Sequence, residues 1–460
     1  MQHPKPFILF CLIVTLNTGI TALAQNQPMS IFDLQQCIDK AVKNNPRILS
    51  SEEKKQQAGH EKKKAAANFY PEINLDYSYT YKDKISSFSS SAGTGEVTMG
   101  QHNNWAMEIY LEQPLFTGFE IINNYNLSKI GLKTAKAETE LSRLEIIFQT
   151  TKSYYELLKA IKYREVADNA VVQLNSHLAS AQKFYDHGVI PLNDLLEAKV
   201  NLANAKQDAR TAMSRVRLAR YQLATLMDQP LDFKFGIKNQ ARETIFKTKL
   251  TNLLKKAFKK RPVLKKANYN LKSAGQKVDL ARSDYYPTLS LRAGHSRYGT
   301  DPLVNGQGLS DFSEPEDNTI TIAAVWQLWD SRETAEEVNK AESGVREARH
   351  LLNEISDQVS LEVKNNFEQA YTAYTNIKPA RLAVSQAEEN LRMTRRRYQE
   401  QLSTNTDVLD ARRLLTQTKY KFYKALYDYN ILLAALARST GGTIKNYELK
   451  ITDQKSEITN

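Results

Sequence analysis

The chain has 460 residues, with 63 Lys and Arg against 51 Asp and Glu, a formal charge of +12, and 41% hydrophobic and 25% charged residues. Such a composition can bury a core, which excludes wholesale disorder. A mean hydropathy of -0.52, with no apolar run of spanning length after the first 24 residues, excludes a helical membrane protein but not a β-barrel, whose alternating strands barely register in average hydropathy.

At the N-terminus, His3 and Lys5 precede an apolar core over residues 7–16, and Ala22-Leu23-Ala24 before Gln25 has the small-x-small form of a signal peptidase site. Residues 1–24 are therefore expected to be a removed secretion signal. Cys11 leaves with it, so the mature chain keeps only Cys37 and has no internal disulfide. Leu34, Ile38 and Ala41 around Cys37 make it a small buried hydrophobe on a helix. The positive charge does not read as a nucleic-acid footprint. Even the dense runs at 62–64, 255–261 and 395–397 lie on helical segments mixed with acids, with no recognition motif beside them.

Only 17 Gly and 13 Pro leave long stretches without a helix breaker, so a length prior of about three ordinary domains gives way to long helices. The chain is also duplicated. Asn45-Pro46 aligns with Arg261-Pro262, and Phe69-Tyr70-Pro71 with Tyr285-Tyr286-Pro287, both 216 residues apart. Further on, Leu115-Phe116 aligns with Leu328-Trp329, and Asp194-Leu195-Leu196-Glu197-Ala198 with Asp407-Val408-Leu409-Asp410-Ala411, both 213 residues apart. Two copies of one unit that differ by a small loop deletion give this behaviour. The expected division is residues 25–249, residues 250–440 and a C-terminal equatorial or tail segment, 441–460.

Each unit reads as a helix, two strands and two long helices. The first helix starts near Ile31 and near Leu250, is broken at Pro46 and Pro262, and ends before the aromatic-aromatic-Pro. From Ile73 to Tyr81 every odd position is apolar or aromatic and every even one polar, a strict period of two. Trp105, Met107, Ile109 and Leu111 alternate in the partner strand. Ile320, Ile322, Ala324, Trp326 and Leu328 do so in the second unit, whose strand after Pro287 is weaker. Strands of about 9–11 residues suit an outer membrane, although one face of a soluble sheet would alternate in the same way. Polar hairpin loops join the strands over 82–103 and 297–318. Gly93-Thr94-Gly95 in the first is too short to signal phosphate binding.

Residues 132–187 contain no Gly or Pro and would reach roughly 80 Å as a helix. Leu141, Leu144, Phe148, Tyr155 and Leu158, with Thr151 between, follow a three-four spacing, as do Leu415, Thr418, Phe422, Ala425, Tyr429, Leu432 and Leu436. Both are seams for another long helix. Residues 192–229 and 345–378 are equally uninterrupted, with a kink expected at Pro379. The helices turn at Gly188-Val189-Ile190-Pro191 and at Leu402-Ser403-Thr404-Asn405. Two helical hairpins thus hang from four strands. Four strands cannot close a barrel, and open edges are forbidden in lipid, so a membrane location requires two, three or four copies.

The ordered and duplicated motifs, namely the two aromatic-aromatic-Pro strand starts, Gln113-Pro114-Leu115-Phe116-Thr117-Gly118, Asn44-Asn45-Pro46 and Thr406-Asp407-Val408-Leu409-Asp410-Ala411, resemble the TolC-like outer membrane efflux proteins over nearly the whole mature chain. The resemblance implies a mainly α fold with membrane β: a homotrimer whose twelve-stranded β-barrel continues into a twelve-helix periplasmic α-barrel. It implies a passive exit duct of an efflux or type I secretion system in the bacterial outer membrane, working with a periplasmic adaptor and an inner-membrane transporter. Asp407 and Asp410 match the family's aspartate rings at the periplasmic gate, and Tyr398 a tyrosine that helps hold it closed. Tyr185, Asp194 and Glu197 are their first-unit counterparts. The turns at Gly188, Val189, Leu402 and Ser403 would meet the adaptor. The chain departs from the family where Ser403 replaces a gate arginine and Gln401 a turn glycine. Carboxylates at Asp407 and Asp410 also suit a helix N-terminus for purely local reasons.

Nothing in the sequence points to catalysis or a cofactor. Its seven histidines are scattered, with no metal-ligand spacing, P-loop, dinucleotide fingerprint or nucleophile elbow. The alternative class is a secreted coiled-coil structural or adhesive surface protein, which needs long helices but not alternating strands.

Overall fold

The computed structural model describes residues 30–89, 96–99, 101–241, 243, 248–306 and 315–442. The expected secretion signal, Gly93-Thr94-Gly95 and most of the 441–460 segment lie outside these residues. The first unit comprises β1 (Ser30–Phe32), α1 (Leu34–Asn44), α2 (Pro46–Ala67), β2 (Glu72–Tyr81), β3 (Ser86–Ser89), β4 (Glu96–Met99), β5 (Asn103–Thr117), α3 (Glu120–Asp186), α4 (Leu192–Leu226) and β6 (Phe235–Ile237). The second comprises α5 (Leu250–Lys260), α6 (Pro262–Ala281), a 3-10 turn (Arg282–Tyr285), β7 (Thr288–Gly299), β8 (Glu316–Val325), α7 (Glu333–Gln399) and α8 (Asn405–Ser439).

The helices repeat in length as well as in sequence. α3 and α7 have 67 residues each, about 100 Å, and α4 and α8 have 35 each, about 50 Å. α2 and α6 both open with proline at the first helical position, where a missing N–H costs nothing. Asn45 caps α2 by accepting from the Arg47 amide at 3.0 Å and ties it to α4 through the Leu226 carbonyl at 3.1 Å.

Several expectations change. Ile31 belongs to β1, which pairs in parallel with β6, and the first helix starts only at Leu34, behind an Asp33–Gln36 capping box. The first polar loop contains the β3–β4 ladder. β8 ends at Val325 because its partner β7 begins at Thr288, which leaves Trp326 and Leu328 beyond the sheet. α7 runs helically through Pro379, although the proline leaves the Thr375 carbonyl without its usual donor.

Strands β2, β5, β7 and β8 form one antiparallel sheet in that order. Its register aligns the alternating positions into apolar rows: Ile73, Leu111, Ala293 and Ile320 stand side by side. Ile73 is 71% exposed and Ile320 80%. Side chains of the opposite face include Asn74, Asp76, Ser78 and Thr80, with Arg292 ion-paired to Glu108 at 2.8 Å. The register slips at Pro114–Phe116, leaving Leu115 unpaired, as a proline without a ladder donor favours. β2 and β8 carry the free edges of this sheet.

Two cores sit at matching heights. Cys37 of α1 packs with Tyr154, Leu157, Leu223, Phe235 and Tyr427 in one. Leu253 and Ala257 of α5 pack with Val363, Tyr429 and Leu436 in the other. Burial pushes the Cys37 thiol up to about 12, so it is inert. The predicted seams hold: Tyr155, Leu158, Leu415, Tyr429 and Leu436 are all buried. Arg438 of α8 bridges the repeats, reaching Glu145 of α3 at 2.6 Å and Glu362 of α7 at 2.9 Å.

Candidate functional site at the helical tip

The far end of the hairpins gathers the residues singled out in the sequence. In the first turn, Gly188 has φ +69°, and the Gly188 and Val189 amides donate to the Tyr185 and Phe184 carbonyls at 2.9 and 2.8 Å. This is a glycine-terminated helix end. In the second turn, Gln401 takes the glycine's place at φ +61°, and the Gln401 and Leu402 amides donate to the Tyr398 and Arg397 carbonyls at 3.1 and 2.7 Å. A side chain in this left-handed region costs about 1 kcal/mol. Side-chain bonds reinforce the strained turn: Ser403 Oγ donates to the Thr394 carbonyl at 3.2 Å, and Arg397 Nη2 to the Leu402 carbonyl at 3.3 Å.

Asp407 forms a capping box with Thr404: its carboxylate accepts from the Thr404 amide at 2.9 Å, and its own amide donates to Thr404 Oγ1 at 3.2 Å. The bond from the Thr404 amide, aided by the Thr404 hydroxyl and Arg397, holds the Asp407 carboxyl below its ordinary range. Asp410 is exposed and paired with Arg413 of its own helix at 2.8 Å. Tyr398 is buried, with its ring 5.3 Å from His177 and 5.5 Å from Phe184. Its hydroxyl has no hydrogen-bond partner, and burial, with nearby Asp194, raises its pKa.

Tyr185, Val189 and Leu402 are exposed. Asp194 and Glu197 face the second hairpin through Asn405, whose Nδ2 donates to the Asp194 carbonyl at 3.3 Å and to Glu197 Oε2 at 3.0 Å. The Asn405 amide oxygen, Oδ1, lies 2.7 Å from His177 Nε2. Arg412, only 3% exposed, reaches the Ala170 carbonyl at 3.4 Å and leaves Nε and Nη2 unpartnered.

Sequence reasoning missed His177, Asn405 and Arg412. A signal for His177 existed: it interrupts an apolar seam formed by Leu174, Leu178 and Ala181. The carboxylates Asp407 and Asp410 stay on the exposed side of α8, while Asn405 and Arg412 point into the bundle. Among the described residues no group of three or more His, Cys, Asp or Glu could hold a metal ion, and no helix is long and apolar enough to cross a membrane.

A duplicated strand-pair and hairpin unit, with a four-stranded antiparallel sheet at one end and a helical tip at the other, defines an outer-membrane channel architecture. The sequence model of the Outer membrane efflux protein family matches residues 37–229 and 253–442, one stretch in each repeat, and the chain belongs to this family. The outer membrane protein TolC of Vibrio cholerae is 21% identical over 413 residues, which is 89% of this chain and 90% of that protein. The outer membrane efflux protein BepC of Brucella suis is 19% identical over 444 residues, 96% and 91% of the two chains. Among solved structures, the outer membrane protein VceC of Vibrio cholerae superposes with a TM-score of 0.75 at 21% identity, covering 89% of this chain and 96% of that one. CusC superposes at 0.76 and 16% identity, covering 92% and 96%.

Proposed function

We propose that three copies of this chain form a passive exit duct through the bacterial outer membrane, a twelve-stranded barrel continuous with a twelve-helix periplasmic tunnel. The observation that carries this reading is the four-stranded sheet with an exposed apolar face and two free edges. Such a sheet is stable in lipid only if β2 of one protomer pairs with β8 of the next. Residues 25–249 and 250–440 are the two repeats contributed by each protomer.

The tip is the periplasmic gate. Asp407 and Asp410, three residues apart on one helix face, would line the narrow end with six carboxylates per trimer, and Tyr398 packs behind them. Asp194 and Glu197 are the first-repeat counterparts, and Tyr185 marks the foot of the first hairpin. Gly188, Val189, Leu402 and Ser403 present the exposed turns to a periplasmic adaptor, which couples the duct to an inner-membrane transporter that supplies the energy.

The test is extraction from outer membranes. A detergent-stable trimer with mixed strand and helix circular dichroism is expected, whereas a water-soluble, purely helical product would remove the duct and leave a secreted coiled-coil protein. Replacing Asp407 and Asp410 with Ala should reduce cation preference and block by multivalent cations in planar bilayers. Unchanged selectivity would take both residues out of the gate.

A further inference from the structure

At the second turn, Ser403 bonds within its own hairpin and does not tie it to the first. Something else must hold the two hairpins of a protomer together at the tip. A buried polar cluster joining both hairpins there is centred on Asn405, at 1% exposure, and His177, at 6%. We propose that His177 and Asn405 form the closing latch of the tip in each protomer, and that the latch releases when the imidazole takes up a second proton. This rests on the exit-duct reading and names the residues that regulate its gate.

The hydrogen bonds fix the proton inventory. Asn405 Nδ2 is committed to the Asp194 carbonyl and the Glu197 carboxylate, both acceptors, so Oδ1 faces His177 Nε2 at 2.7 Å. An amide oxygen only accepts. His177 Nε2 therefore carries a proton and donates it to the amide, and one amide connects α3, α4 and α8.

A second proton would sit on Nδ1, the ring nitrogen that Asn405 does not face. It would also create a third cation in a crowded place. The bond to Asn405 and Glu197 of α4 favour charge on His177, Arg412 of α8 and Arg395 of α7 oppose it, and the neutral Tyr398 ring of α7 lies 5.3 Å away. Burial is the largest influence and holds His177 below its ordinary value. Arg412 is itself brought down to about 10 by burial, with Arg395 adding to the effect.

The sign follows from linkage. A histidine whose value is lowered in the closed tip supports closure fully above its open-state value, near 6.5. That support disappears as pH falls through the lowered closed-state value. Opening lets His177 and the two unpartnered nitrogens of Arg412 reach water together, so the closed state is poised rather than locked. Carboxylates ordinarily titrate lower, near 4, so a window above about pH 5.5 reads the imidazole.

The experiment is the potassium chloride current through the purified full-length trimer in planar bilayers at pH 7.5 and 5.5. The wild type should pass several-fold more current at the lower pH. His177→Gln, which donates a similar hydrogen bond but cannot titrate, should stay at the neutral-pH level throughout. Asn405→Ala should be open at both values. A His177→Gln channel that keeps the wild-type pH response, or an Asn405→Ala channel as closed as the wild type at pH 7.5, overturns the latch.

Hydrogen exchange on the unmodified trimer keeps the test valid if a variant fails to assemble. Protection in the first turn of α8 and around His177 should fall selectively at pH 5.5, and unchanged or uniformly reduced protection overturns the proposal. An intact trimer that passes no current at either pH contradicts the duct itself, and the exchange data then judge the latch separately.

Discussion

The two repeats solve the same two turning problems with different chemistry. Where β5 passes into α3, the first repeat uses Gly118 at φ +61° and Phe119 at φ +73°; the second passes from β8 to α7 through Ser331 at φ +53° and Arg332 at φ +74°. At the tip, the first uses Gly188 and the second Gln401. The first repeat has one side-chain bond at the strand-to-helix turn, from the Ile121 amide to Thr117 Oγ1 at 3.3 Å, and the second repeat has more in both places. Asp330 accepts from the Arg332 and Thr334 amides, both at 2.9 Å, and Thr404 and Asp407 box the start of α8. At one position of each turn the first repeat thus has glycine where the second holds a side chain in a costly conformation, and the second compensates with more side-chain hydrogen bonds. A turn held by side chains can be released by changing those side chains, which makes the second hairpin the more adjustable one.

Substitutions at the paired turns test this contrast. Gly118→Ala should have the largest effect. A Cβ there would lie 2.3 Å from the Ser283 carbonyl oxygen, and with the left-handed backbone the loss should be about 3 kcal/mol, the upper end for single changes. The check is the yield and melting temperature of the detergent-purified trimer. Gly188→Ala meets nothing within 4 Å, so only the backbone term remains, about 1–2 kcal/mol, read as faster hydrogen exchange in the last turn of α3. Thr404→Ala removes a cap and should weaken the start of α8 by about 1 kcal/mol, with no change at Gly188. Gln401→Gly should stabilise its turn by about 0.5–1 kcal/mol. If Gln401→Gly destabilises the turn, the difference between the repeats is not one of backbone strain.

Local patterns made most of the fold legible in the sequence. The period of two in β2 and the three-four seams of α3 and α8 depend only on which neighbours face the same side, and the two residue offsets reappear in matching helix lengths. What escaped depended on partners far along the chain. β1 and β6 are three residues each, too short for a period, and exist only because residues near 30 and 235 meet. β7 looked weak because His295 and Arg297 sit in its outer row, yet pairing with strands on both sides extends it to twelve residues. At the candidate gate the spacing of Asp407 and Asp410 was visible, but His177 and Asn405 are 228 residues apart, and no local rule connects them.

The most direct test of the duct is electron cryomicroscopy of the detergent-purified protein. A threefold particle in which β2 of each protomer hydrogen-bonds to β8 of the next, closing twelve strands above a helical tunnel, is the predicted result. A monomer or soluble assembly with the edges of β2 and β8 left uncovered would contradict it.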